Sequence, residues 1–277
     1  MRCMGIGDHL DTVEGWHAAA QALIWQAELG AVDLCGDGPV DRYALTDEVA
    51  RPALAPRVAA AGAASVPPAP RRNVVTGAVA VAEAAAGGAN TLGELRAAIA
   101  AFDLCEMKRG AKTTVFADGD PAARVMIIGE APGRDEDTIG RPFVGRAGQL
   151  LDQMLAAIGM ARSSPDTANA VYITNVMPWR PPQNRDPEPD EVAMMLPFLV
   201  RHVALANPDL IVVMGNTPLF AATGGKGITR QRGIWREGFG KPMLPMVHPA
   251  YLLRNPVAKR EAWADLLMLK ARLEGRD

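Results

Sequence analysis

The sequence predicts an α/β protein of three layers, in which helices cover both faces of a central, mostly parallel four-stranded sheet. Two observations support this fold class. Four short and largely apolar runs recur between residues 125 and 247, and amphipathic helical patterns separate them. A strand that is apolar at nearly every position is buried on both faces, which is typical of a parallel sheet whose strands are connected by helices.

The elements follow one another from residue 91 onward. Thr91 and Glu94 form a capping-box pattern that begins a helix, which is expected to end near Phe102. The spacing of apolar residues then predicts, in chain order, strand Val125–Ile128, helix Gly145–Ile158, strand Val171–Thr174, helix Pro189–Leu205, strand Leu210–Met214, helix Thr217–Thr223, strand Met243–Val247 and helix Ala258–Leu273.

The first 90 residues differ from the rest in composition. Residues 11–29 carry Trp16, Leu23 and Ile24 at helical spacing, which predicts one amphipathic helix within an appendage of residues 1–35. Residues 36–90 are dominated by Ala, Pro, Gly and Val and have few large side chains, so we expect a disordered linker. We expect the helix to dock an unknown protein partner, and residues 91–277 to form the catalytic domain.

Composition excludes several classes of protein. Residues 1–90 hold six Lys/Arg and ten Asp/Glu, and the rest of the chain holds 23 and 21, so only local arginine clusters argue for nucleic acid. Cys3, Cys35 and Cys105 lie far apart, which indicates neither a disulfide framework nor a zinc motif and favours a reducing cytoplasm. No stretch has the roughly 18 uninterrupted apolar residues of a membrane helix, so no membrane partner is expected.

Two loops carry the candidate catalytic residues. Glu130 follows the first predicted strand and His248 follows the last, and the carboxyl ends of parallel strands share one edge of the sheet. The first loop matches neither a dinucleotide fingerprint nor a P-loop. Asp135 and Glu136 are secondary acidic candidates. For these acids, a metal site that includes His248 and simple helix capping are the alternatives.

Four segments, taken in order, resemble the family-four uracil-DNA glycosylases. They are Gly129–Gly133 with Glu136 and Asp137, Gly140–Gly145, Tyr172–Asn175 running into Trp179–Arg185, and His248–Arg254. The similarity covers about Leu92 to Leu273. It implies a base excision repair enzyme that flips uracil out of single- or double-stranded DNA and hydrolyses its N-glycosidic bond, leaving an abasic site. It also implies a cytoplasmic, nucleoid-associated protein that works as a monomer.

The resemblance implies a role for each strand-end residue. His248 would donate a hydrogen bond to uracil O2 as neutral imidazole, and Glu130 would position water or stabilise the cationic sugar. Asn175 would pair with N3–H and O4 of uracil, a pattern that cytosine does not present. Phe143 would stack on the base, and backbone N–H groups around Glu130 and Ala131 would help to hold it. The alternatives are a structural His248, a helix-capping Glu130 and a core Phe143.

The same resemblance implies contacts with DNA. Leu252 and Leu253 would wedge into the gap left by the flipped nucleotide, or else are core leucines. Arg254 and Arg185 would contact phosphate. Gly133 stands where better-known relatives in the wider superfamily have a bulky wall, so damaged pyrimidines other than uracil remain candidate substrates.

Members of the resembled family usually hold an iron–sulfur cluster on four cysteines, and here that pattern is broken. Cys105 remains, whereas Phe102 or a neighbour, Trp179 and the Met194–Met195 pair occupy the other regions. One thiolate does not hold a cluster that requires four ligands, so no cofactor is predicted and apolar packing is expected instead.

Two other function classes remain open from the sequence. One is a noncatalytic protein that binds uracil or single-stranded DNA, and the other is a nucleoside hydrolase on the same sheet. The clustered arginines and the Leu252–Leu253 pair favour a DNA polymer as substrate over a free nucleoside.

Overall fold

The structure, a computed structural model, describes residues 71–276. The predicted N-terminal helix and the linker as far as residue 70 lie outside the described residues. A six-stranded sheet forms the centre of the described chain. Its strands are β1 Ala117–Gly119, β2 Val125–Gly129, β3 Val171–Asn175, β4 Leu210–Met214, β5 Arg236–Gly238 and β6 Lys241–Met246.

The strands lie in the order β1-β3-β2-β4-β6-β5. The four inner strands are parallel. At the two edges of the sheet, β1 pairs antiparallel with β3 and β5 pairs antiparallel with β6. The predicted mixed α/β class and the four predicted strands are confirmed, but the sheet has six strands and not four. The two additional strands are three residues long and are not fully buried, so no apolar run marks them in the sequence.

Helices cover the sheet and connect its strands. They are α1 Arg71–Gly88, α2 Leu92–Ala101, α3 Arg134–Ile139, α4 Arg146–Ala157, α5 Pro189–Ala206, α6 Asn216–Thr223, α7 Ile228–Gln231, α8 Pro249–Arg254 and α9 Lys259–Leu273. The five helices predicted from residue 91 onward agree with α2, α4, α5, α6 and α9 to within one residue at every end. The short helices α3, α7 and α8 were not predicted because six residues or fewer show no helical period.

Helix α1 corrects the end of the predicted linker, which does not extend across residues 71–88. Ala78, Ala82 and Ala86 are buried at a spacing of four residues, and α1 packs against α5. Methyl side chains leave little apolar area to mark a helix in the sequence, yet they let two helix backbones approach closely. A packed helix therefore forms at residues 71–88, where the small number of large side chains had predicted a disordered linker.

Two apolar clusters sandwich the sheet because successive residues of a strand point to opposite faces. Met126 and Ile128 of β2 belong to the cluster beneath α1, α2 and α5, whereas Val125 and Ile127 belong to the cluster beneath α4 and α9. This arrangement places the carboxyl ends of all four parallel strands at one edge. Among the described residues, no helix is both long and apolar enough to cross a membrane.

Candidate active site

A cavity of about 540 Å³ opens at the carboxyl ends of the parallel strands. Glu130 and Ala131 line it from the end of β2, Thr217 lines it from the start of α6, which follows β4, and His248 lines it from the end of β6. Arg254, at the end of α8, lines the same cavity. Strand ends that are distant in sequence thus meet at one place, as expected for the carboxyl edge of an open parallel sheet.

His248 stands between β6 and α8, and its ring caps the helix. The backbone N–H of Ala250 donates to Nδ1 at 3.1 Å, so the proton of the neutral ring is on Nε2. Burial, with a smaller contribution from the nearby Arg254, lowers the pKa of His248 to about 4. The imidazole is therefore neutral at pH 7 and offers Nε2–H as a hydrogen-bond donor.

Glu130 is a partly buried carboxylate on the cavity wall. The hydroxyl of Thr217 donates to Oε2 of Glu130 at 2.7 Å. Burial raises the pKa of Glu130, the bond from Thr217 opposes that rise, and the nearby Asp186 adds to it. Thr217 was predicted only as the start of a helix. The Gly215–Asn216 pair directly after an apolar strand was the signal for a third strand-end loop at the site.

Asn175 and Phe143 meet above Gly129, which is paired with Asn175 in neighbouring strands. A Cβ added to Gly129 would lie 2.4 Å from Oδ1 of Asn175 and 2.5 Å from the ring of Phe143, so only glycine leaves both side chains in place. The rings of Phe143 and His248 are 5.3 Å apart between centroids, with 26° between their planes. Asn175, Phe143 and His248 therefore form one contiguous group.

Asn175 is 8% exposed, and its side-chain amide, which makes no hydrogen bond to a described residue, is reached by solvent. The other buried polar side chains of residues 71–276 all have partners. They are Asp137, Thr174, Glu191, His202 and Asp265. No fully buried side-chain N or O atom of the described residues lacks a partner, so the amide of Asn175 is open at a strand end and free to bond to a ligand.

Phe143 is held in an unusual backbone conformation, with φ of 54°. Arg162 donates to the backbone carbonyls of Pro142 and Phe143 at 2.9 and 2.8 Å, and it also pairs with Asp118 and Asp152. These bonds offset the cost of the left-handed conformation and fix the ring. Arg162 was not predicted as a site residue, because nothing local in the sequence connects it to Phe143.

The acidic residues after Glu130 serve the backbone. Glu136 accepts from the N–H groups of Gly133, Val144 and Gly145 at 2.9–3.1 Å, and thus ties the first loop to the start of α4. Asp135 is exposed in the first turn of α3. In the part of the chain that the structure describes, no three His, Cys, Asp or Glu side chains form a group able to hold a metal ion. The geometry of Glu136 agrees with the capping alternative.

The predicted DNA contacts fall into different environments. Leu252 is 0% exposed in the core beneath α4 and α9, which agrees with the alternative that it is a core leucine, whereas Leu253 is 39% exposed. Arg254 is exposed at the cavity. Arg185 instead forms two parallel hydrogen bonds, of 2.6 and 2.8 Å, with the carboxylate of Glu191. Its guanidinium is thus already engaged with the first turn of α5.

The positions that replace the family's cysteines pack together. Phe102, Cys105, Trp179 and Met195 are all buried in the apolar cluster on the α5 face of the sheet. Burial raises the pKa of the Cys105 thiol, and the indole N–H of Trp179 donates to Thr114 at 3.1 Å. Three of these side chains are not cluster ligands, so the residues present here do not fit a four-thiolate iron–sulfur site.

Comparison with known proteins identifies the family. A model of the uracil DNA glycosylase superfamily matches residues 116–267, which is more than half of the chain. The chain is 42% identical over 154 residues to a type-4 uracil-DNA glycosylase from Thermotoga maritima, covering 54% of this chain and 77% of that protein. It is 38% identical over 173 residues to the type-4 uracil-DNA glycosylase from Archaeoglobus fulgidus, covering 58% and 82%. The chain therefore belongs to the uracil DNA glycosylase superfamily, as a member similar to its type-4 enzymes.

Proposed function

We propose that this chain removes uracil from DNA by flipping the nucleotide into the cavity and hydrolysing its N-glycosidic bond to leave an abasic site. The observation that carries the proposal is that the open amide of Asn175 lies in one group with the ring of Phe143 and neutral His248, at the carboxyl ends of the parallel strands. As a glycosylase of base excision repair, it acts as a hydrolase of N-glycosyl bonds.

Asn175 is proposed to read the identity of the base. Its amide oxygen accepts from N3–H of uracil while its NH₂ group donates to O4, whereas cytosine presents an acceptor at N3 and a donor at C4. Cytosine in the same pose would leave two buried groups unpaired, at a cost of about 1–3 kcal/mol for each. The adjacent ring of Phe143 supplies the stacking surface, and the backbone around Ala131 borders the base.

His248 and Glu130 are proposed to act on the charges that develop as the bond breaks. The departing base carries negative charge on O2, and the Nε2–H of neutral His248 stabilises it without a proton transfer. The sugar gains oxocarbenium character, which a carboxylate at Glu130 stabilises while it also orients the attacking water. Ionised Glu130 and neutral His248 are the forms needed, and a neutral ring follows from its capping bond and its depressed pKa.

Contacts beyond the base are part of the proposal. Exposed Arg254 at the cavity supports a phosphate contact, and exposed Leu253 supports insertion beside the flipped nucleotide. We propose that the enzyme works as a monomer in the cytoplasm, where it has access to the nucleoid. We also propose that the N-terminal segment docks a protein partner.

We propose in addition that the enzyme works without an iron–sulfur cluster. The support is the apolar packing of Phe102, Trp179 and Met195 around the lone Cys105 of the described residues. Metal analysis of protein purified without oxygen tests this directly. We expect less than about 0.1 iron per chain and full activity after treatment with a chelator, and stoichiometric iron would overturn this part of the proposal.

Activity is tested by incubating purified protein with uracil-containing oligonucleotides, single-stranded and paired, followed by alkali. We expect strand breaks at uracil with the wild-type chain and almost none with Asn175→Ala or His248→Ala. Asn169→Ala is the matched control, since the exposed amide of Asn169 donates only to the nearby carboxylate of Asp166. Circular dichroism checks that each variant is folded.

The outcomes separate the alternatives. A noncatalytic binder would retain the oligonucleotide without producing alkali-labile sites, and a nucleoside hydrolase would cleave free deoxyuridine at least as fast as the polymer. Retention of wild-type rates in folded Asn175→Ala would refute the proposed reading of the base.

A further inference from the structure

We propose that Thr217 is a positioning residue for Glu130: its hydroxyl fixes the carboxylate at the cavity wall and favours the ionised form during catalysis. This inference rests on the proposed role of Glu130. Thr217 lies in the first turn of α6, directly after β4, and it lines the same cavity as Glu130 and His248.

The contact is direct and specific. Oγ1 of Thr217 donates to Oε2 of Glu130 at 2.7 Å across 87 residues of sequence. Among the described residues this is the one hydrogen bond of the Glu130 side chain, so Oε1 has no protein partner. A carboxylate held by one oxygen presents the other in a defined direction, which suits an atom that must orient water or face the sugar.

The turn that carries Thr217 is held at both sides. The backbone N–H of Gly215 donates to the carbonyl of Met246 at 3.1 Å, which ties the end of β4 to the end of β6. The side chain of Asn216 accepts from the N–H groups of Gly227 and Ile228, each at 3.0 Å. The hydroxyl of Thr217 therefore belongs to a helix start that hydrogen bonds hold in place, and not to a loop without such bonds.

The hydrogen bond from Thr217 affects the protonation of Glu130. Burial and the neighbouring Asp186 favour the protonated form of Glu130, and the bond from Thr217 favours the charged form. Loss of the hydroxyl would raise the pKa of Glu130 further, so a larger fraction of the carboxyl group would be protonated at a given pH. The other titratable groups that line the cavity are Asp186, Lys226, His248, Tyr251 and Arg254. They are the same in wild type and in a Thr217 variant, so a difference between the two profiles reports on Glu130.

The test compares Thr217→Val and Thr217→Ala with Thr217→Ser on a uracil-containing single strand. We expect kcat to fall about tenfold or more in the Val and Ala variants, because a hydrogen bond to a charged group is lost, with KM nearly unchanged. The acidic limb of the kcat profile should move to higher pH. Thr217→Ser should restore both. Thr138→Val is the matched control, since that exposed hydroxyl bonds only to the carbonyl of Arg134 in its own helix.

A second comparison uses the Glu130→Gln background under single-turnover conditions. If Thr217 acts through Glu130, Thr217→Val causes little further loss there. An equal loss in both backgrounds, or unchanged rate and unchanged pH profile in the folded Val and Ala variants, would overturn the inference. Failure of the wild-type chain to release uracil would instead overturn the proposed function, so the two failures are distinguishable.

Discussion

Replacement of Gly129 by Ala is expected to inactivate the enzyme while it stays folded. The added Cβ would lie 2.4 Å from Oδ1 of Asn175 and 2.5 and 2.6 Å from two ring atoms of Phe143, whereas ordinary contact begins near 3.4 Å. Both side chains must therefore move by roughly 1 Å. A displacement of that size at reacting groups costs about 100-fold in rate, or about 2.7 kcal/mol of transition-state stabilisation.

The same overlap should cost about 1–3 kcal/mol of folding free energy, because overpacking a well-filled site is partly relieved by side-chain movement. We would measure kcat/KM for uracil release and the free energy of unfolding in urea. Gly93→Ala is the control, since its Cβ meets only Thr91 at 3.9 Å in a helix. A folded Gly129→Ala enzyme with activity within about threefold of wild type would refute the reasoning.

Three further predictions concern charges outside the base-reading group. Burial lowers the pKa of His202 to about 3, so neutral His202 leaves the free energy of unfolding unaffected above pH 6.5 and lowers it by about 1.4 kcal/mol per pH unit as the pH falls toward 3. Urea unfolding of His202→Gln should show a shallower decline of this free energy with falling pH, and a decline equal to that of the wild type would contradict the prediction. Arg162→Ala should lower the free energy of unfolding by about 2–4 kcal/mol because two backbone carbonyls lose their donor, with Arg162→Lys losing less. Arg254→Ala should lower the salt dependence of DNA binding by about one phosphate contact, whereas Arg185→Ala, which breaks the pair with Glu191, should leave it unchanged; binding titrations at several salt concentrations would reverse this assignment if only Arg185 mattered.

The inner strands and their connecting helices could be predicted because apolar runs and helical periods are local properties of the sequence. Helix α1 could not, since its packing face consists of alanines whose small side chains leave hardly any hydrophobic period. The edge strands were missed for a related reason, because three residues with mixed burial do not form a pattern.

At the site, Glu130 and His248 were predictable because each directly follows an apolar strand, and Asn175 ends another. Thr217 and Arg162 were not, because their importance comes from contacts across the fold. The sequence also did not show which of Leu252 and Leu253 is buried. Two adjacent leucines on a helix of six residues give no period that tells which one faces the core.

The strands that end at the cavity have a consequence for the newly made protein. The residues of the candidate site extend along the chain from Gly129 to His248, and β6, which precedes His248, is the last of the parallel strands in the sequence. In a ribosome-bound or partly unfolded chain in which this strand is not in the sheet, His248 does not lie beside the other residues of the site. We therefore expect base removal only from chains whose parallel sheet is complete.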